Sequence, residues 1–165
     1  MSSDPTVVSS PQLLRPMAHS LGSCPLFASS AVEPRIAEVP GPPASALSRE
    51  EWLRRALIAE WPELIALGKT LQDRYDCTLT SWRAGVLEVV RACPHDAVIF
   101  SHFVPVNVLT GHATSSQRVA CFLPDHTSVT VFETAGDEIR GRARPRIEAE
   151  GQLAPRRAVT NARTV

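Results

Sequence analysis

His102 stands directly after an apolar run, Ala97-Val98-Ile99-Phe100, and directly before a stretch with helical spacing, FVPVNVLTGHAT. That junction suits an ionisable imidazole for chemistry. In an open parallel sheet, ligands bind in the crevice beyond the carboxyl ends of the strands. A helix starting there points unpaired amides and a partial positive charge at the same place. A neutral imidazole can then donate to a phosphate oxygen or help move a proton. The plain alternative is a histidine that only caps its strand. The other four histidines lack this setting. His95 falls in a Pro-His-Asp turn, His112 between Gly111 and Ala113 near a helix end, His126 in a polar turn, and His19 in the first helical stretch. Cys24, Cys77, Cys93 and Cys121 include no Cys-x-x-Cys pair. Metal ligation needs clustered ligands, so no metal site is expected and the thiols read as structural.

Elements must hold His102 in place. A chain of 165 residues, 44% of them hydrophobic, suits one domain with a real core. Lysines plus arginines number 17, as do aspartates plus glutamates, so neither a nucleic-acid nor a membrane partner is expected. The opening MSSDPTVVSS has no basic start followed by an apolar stretch, and a cytoplasmic location is the expectation.

Thr6 to Ser9 reads as a short strand, and Leu13 to Leu21 as a short helix with Pro16 in its first turn. Residues 22–47 are rich in Pro, Ser and Ala and read as a loop or lid, not a packed element. Ser48-Arg49-Glu50-Glu51 is a capping-box pattern. Trp52, Leu53, Ala56, Leu57 and Ile58 follow at helical spacing, Pro62 interrupts it, and Gly68 offers a stop after Leu64, Ile65 and Leu67. A second helix is expected over 81–92, with Trp82, Val86, Val89 and Val90 inward. A turn at 93–96 precedes a buried strand at 97–100 and a helix at 103–112. RVACFLP and SVTVFET alternate as strands joined at Asp125-His126-Thr127. From Gly136 onward, seven arginines and two prolines predict a solvated tail. The expected organisation is one domain over 1–135 and a flexible tail over 136–165.

Several of these segments together resemble a family. Ser101-His102-Phe103, Val106-Asn107 and Phe122-Leu123-Pro124-Asp125 follow one another as they do in the C-terminal half of the histidine phosphatase superfamily, the phosphoglycerate-mutase-like group. SWRAGV at 81–86 is similar to the helix before the family's histidine strand. VVSSPQLLR resembles its strand-Ser-Ser-Pro-x-x-Arg segment, and VEPRIAEVPGP the segment carrying its acidic residue. The resemblance spans roughly residues 6–134 and is most specific over 97–132.

It implies a three-layer α/β/α fold with a mainly parallel sheet and phosphoryl transfer through a phosphohistidine, with no cofactor. A first histidine attacks phosphorus in line, while a second histidine and two arginines hold the phosphoryl oxygens. A carboxyl group protonates the leaving oxygen and then activates water. By this resemblance His102 is the second histidine, Glu38 the proton donor and Arg15 a phosphate-binding arginine. Pro11 to Arg15 is one residue longer than the family spacing. Arg49, Arg54 and Arg55 could meet an anionic substrate, although a solvated helix face explains them equally well.

One departure is larger. The family's nucleophile lies in an Arg-His-Gly segment several tens of residues before the Ser-Ser-Pro strand, and these 165 residues contain no Arg-His-Gly. That segment supplies the first, central strand beside 97–100. Without it two apolar strands are expected to lose a shared partner, at about 1–3 kcal/mol for each buried group left unpaired. Three expectations follow. The first is an active phosphomonoesterase whose start lies further upstream. The second is an inactive module that binds a phosphorylated small molecule. The third is a protein-interaction module using its open sheet edge, a homodimer included.

Overall fold

Three of the four residues in Thr6-Val7-Val8-Ser9 are β-branched, and they form strand β1 (Thr6–Ser9) where expected. The computed structural model describes residues 6–9, 31–72, 75–125 and 128–141. The expected helix at 13–21, with Arg15 in it, lies outside the described residues. β1 is the middle strand of a parallel sheet, between β2 (Ala31–Val32) and β3 (Ala97–Phe100). Val8 pairs with Ala31 and Ile99, and Ser9 with Val32 and Phe100, so the three strands end at one level. This corrects one expectation. The strands at 6–9 and 97–100 pair directly and need no third strand between them.

β3 is also less enclosed than its composition suggested. Ile99 packs against Ile36 and Val89, but alternation turns Val98 to the other face, where it is 44% exposed. The fold is mixed α/β, with four α-helices among the described residues and a two-stranded antiparallel hairpin beside the parallel sheet.

The helices are α1 (Arg49–Ile58), α2 (Trp61–Leu71), α3 (Tyr75–Arg91) and α4 (Phe103–Thr114). Ser48 Oγ accepts the Glu51 amide at 3.2 Å and so starts α1. The Glu51 carboxylate is held by Arg54 and Arg55 in place of the expected return bond. Ser48→Ala should lower stability by about 1 kcal/mol, the usual value of an N-cap, and Ser48→Asp should keep it. Denaturant midpoints of the two variants check this.

Trp52 and Ala56, one turn apart, are buried, while Leu57 and Ile58 face solvent against expectation. α1 ends before the proline, and α2 begins with its own capping box. Glu60 accepts the Glu63 amide, and Glu63 accepts the Glu60 amide at 3.0 Å. Pro62 sits in the first turn, where its missing N–H is harmless. Gly68 is not a stop; it is buried within α2, which runs on to Leu71. α3 starts at Tyr75 rather than Ser81, and its inward face is as expected, with Val86, Val89 and Val90 buried.

The hairpin expected at 118–134 forms further along. The α1–α2 junction takes residues 117–119 instead: Trp61 N–H donates to Gln117 O at 2.8 Å and Val119 N–H to Ala59 O at 3.0 Å. Unpaired backbone groups at a helix junction need partners, and this segment supplies them. The antiparallel pair is β4 (Phe132–Ala135) and β5 (Glu138–Gly141), turning at Gly136 with φ 59°. Glycine bears that left-handed conformation without strain. Ile139 of β5 is 2% exposed within the main core. The packed structure therefore reaches Gly141, past the boundary expected at 135.

Residues 31–47 also differ from the loop or lid expected. Ile36 and Val39 are buried, and backbone carbonyls of this segment are held by two indoles: Trp82 Nε1 donates to Ala37 O at 3.3 Å and Trp52 Nε1 to Pro40 O at 3.1 Å. No helix of the described residues is long and apolar enough to cross a membrane.

Candidate functional site

Because the three parallel strands stop level, the segments leaving β2 and β3 emerge at the same, carboxyl end of the sheet, on either side of β1. One carries Glu38 and the other His102. Ser101 Oγ donates to Ile36 O at 2.7 Å and ties them, next to His102 on one side and two residues before Glu38 on the other. The structure thus brings His102 and Glu38 to one end of the sheet. Arg15 lies outside the described residues.

His102 is the N-cap residue of α4, with extended backbone (φ −112°, ψ 177°), and its side chain makes no capping bond to the helix. The ring is half-buried. α4 has no acidic residue in its first turn, so no carboxylate offsets the partial positive charge of its N-terminus. Asn107, fully buried one turn further on, fixes the helix register. Its Nδ2 donates to Phe103 O at 3.0 Å, and its Oδ1 accepts the Phe122 amide at 2.7 Å.

The acidic segment offers two carboxylates with different surroundings. Glu33 caps a short 3-10 turn (Pro34–Ile36) and binds Arg35 at 2.7 and 2.9 Å; those hydrogen bonds hold its carboxyl below the usual range. A carboxylate held ionised in this way is a poor proton donor. Glu38 is half-buried and its Oε1 accepts the Val39 amide at 2.8 Å. Among the described residues it forms no ion pair with an arginine or lysine. The two acids thus differ in what holds them: an arginine for Glu33 and a backbone amide for Glu38.

The arginines of α1 divide. Arg54 and Arg55 hold Glu51 at 2.6 and 2.7 Å on a solvated face. Arg49 Nη1 donates to Val39 O at 2.6 Å and so fixes the Glu38 segment from behind. Sequence spacing could not show that role, nor the roles of Ser101 and Trp82, because each joins residues far apart in the chain. The remaining histidines stay as expected where described. His112 is exposed in the last turn of α4 beside Arg91, and His95 is exposed in its turn. Among the described residues no three His, Cys, Asp or Glu side chains gather around a metal position. No family model, curated protein or solved structure matches the chain.

Proposed function

We propose that this chain is a histidine-phosphatase-like protein whose site, at the carboxyl ends of β2 and β3, receives the phosphoryl group of a small phosphorylated molecule. The observation that carries the proposal is the Ser101–Ile36 bond, which holds the His102 and Glu38 segments together at level strand ends. In this reading the sheet belongs to a three-layer, mainly parallel α/β/α architecture. His102 donates to a phosphoryl oxygen, the α4 N-terminus supports the same charge, and Arg15 supplies a further cation. Glu38 gives a proton to the leaving oxygen and then takes one from water. Phosphomonoester hydrolysis by this route needs a nucleophilic histidine, and none of the five here begins a His-Gly pair. The function proposed for these residues themselves is therefore to bind and orient the phosphoryl group.

Inorganic phosphate tests it, followed through the imidazole nitrogens of His102 by NMR and by calorimetric titration. A saturable shift of the ring is expected in the parent, and in His102→Ala calorimetry should show a loss of at least about tenfold in affinity for one charge-assisted bond. If phosphate leaves the His102 ring unmoved, or binds His102→Ala as well as the parent, the pocket assignment fails. Turnover of an aryl phosphate, measured separately, tells hydrolysis from binding alone. The exposed Val98 face favours a second reading, self-association through β3 as a homodimer. There, Val98→Lys should lower the sedimenting mass.

A further inference from the structure

Among the described residues, a buried indole N–H without a partner and a guanidinium without an ion pair meet at one ring. Trp61, the first residue of α2, is 1% exposed, and its Nε1–H has no hydrogen-bond partner among the described residues. The guanidinium carbon of Arg83, from α3, lies 4.9 Å from the centroid of the same ring. Arg83 is half-buried, and among the described residues it forms no ion pair. Its burial favours the neutral form, and among the described residues no carboxylate opposes that. The carboxylates that flank Trp61 in sequence are already used: Glu60 and Glu63 accept each other's amides in the α2 capping box.

The contrast with the other tryptophans is informative. Trp52 and Trp82 are also enclosed by the core, and each donates its indole N–H to a backbone carbonyl. Buried indole N–H groups normally find such a partner. Stacking on Trp61 attracts the Arg83 cation but satisfies none of its N–H groups. An indole N–H without a partner and a guanidinium fork without an ion pair among the described residues, both on one ring, are what an oxyanion requires.

We propose that Trp61 and Arg83 form an oxyanion site between α2 and α3, distinct from His102, that takes the carboxylate or phosphoryl group of a small molecule. The guanidinium edge offers two parallel N–H donors, and the indole N–H adds a third from the ring beneath it. Arg83 is the accessible member, so the anion meets it first and reaches Trp61 as the guanidinium shifts across the ring.

The three indole N–H resonances give a direct test, each assigned by its own Trp→Phe variant. Inorganic phosphate is titrated at constant ionic strength, with chloride as the control salt. The Trp61 resonance should shift saturably while that of Trp52 stays in place; Trp82, whose ring lies 6.4 Å from Trp61, is not a control. In Arg83→Gln the Trp61 response should need at least about tenfold more phosphate, and an unchanged Trp52 resonance there shows an intact fold. In His102→Ala the Trp61 response should persist, which keeps this site separate from the one proposed above. A Trp61 resonance that ignores phosphate, responds equally to chloride, or responds unchanged in Arg83→Gln would overturn the assignment.

Discussion

Trp52→Ala is expected to remove about 3–5 kcal/mol of stability, the usual range for truncating a buried aromatic side chain. Trp52 is 0% exposed and lies on the inner face of α1 beside Ala56. Its indole N–H also donates to Pro40 O, so one side chain joins α1 to the segment that carries Glu38. Against a total stability of about 5–15 kcal/mol for a typical domain, that loss leaves a marginal protein. At about 2–4 °C per kcal/mol for a chain of this size, the melting temperature should fall by about 6–20 °C. Trp52→Phe separates packing from hydrogen bonding. It keeps most of the apolar volume and removes the donor, so a cost nearer 1–2 kcal/mol, or about a third of the alanine effect, is expected. Calorimetry on both variants decides the matter. Equal losses would mean the hydrogen bond dominates, and an alanine loss under about 1.5 kcal/mol would show that the region collapses to fill the space.

The same contacts explain what could be read from the sequence. β1 and β3 were legible because each is a short β-branched or apolar run bounded by polar or turn residues. The position of His102 at the strand–helix junction was legible because a polar pair ending an apolar strand is a local pattern. The α2 capping box was hidden by Pro62, which reads as a break but sits comfortably in a first turn. The hairpin was misplaced for a different reason. The segment at 118–124 reads as a strand, but its buried residues, Val119 and Phe122, are three apart and not two, and Val119 bonds to the α1–α2 junction, not to a second strand. Residue type along a short run does not show where its backbone hydrogen bonds go. The bonds that assemble the candidate site span 65 residues for Ser101 to Ile36 and 45 for Trp82 to Ala37. No local periodicity encodes such pairs. The Ser101–Ile36 bond exists because level parallel strands place both exits at one end of the sheet, on either side of β1.

Asn107 ties that site to the core, and its substitution is the second large effect expected. The side chain is 0% exposed, and its Oδ1 is the acceptor for the buried Phe122 amide at 2.7 Å. Asn107→Leu keeps the volume but removes the acceptor, which should cost about 1–3 kcal/mol for the amide left unpaired. Asn107→Ala adds a cavity and should cost about 2–4 kcal/mol in all. Asn107→Asp gives a sharper test because its sign changes with pH. A carboxyl buried there has its pKa raised by desolvation above the unfolded value of about 3.9. Below that unfolded value it is neutral in both states and still accepts the Phe122 amide, so the variant stays close to the parent. As pH rises, the unfolded chain ionises first and releases its proton more readily than the folded one, so the variant loses stability progressively until the folded group also ionises. Denaturant midpoints for Asn107→Asp should therefore fall from pH 4 to pH 7 relative to the parent, while those of Asn107→Leu keep a constant offset. A parallel offset for both variants would place position 107 in contact with water and remove its role as the internal anchor of α4. Because α4 begins at His102, the same loss of register should weaken the phosphate response of the His102 ring in Asn107→Leu, although the substituted side chain lies a full turn away.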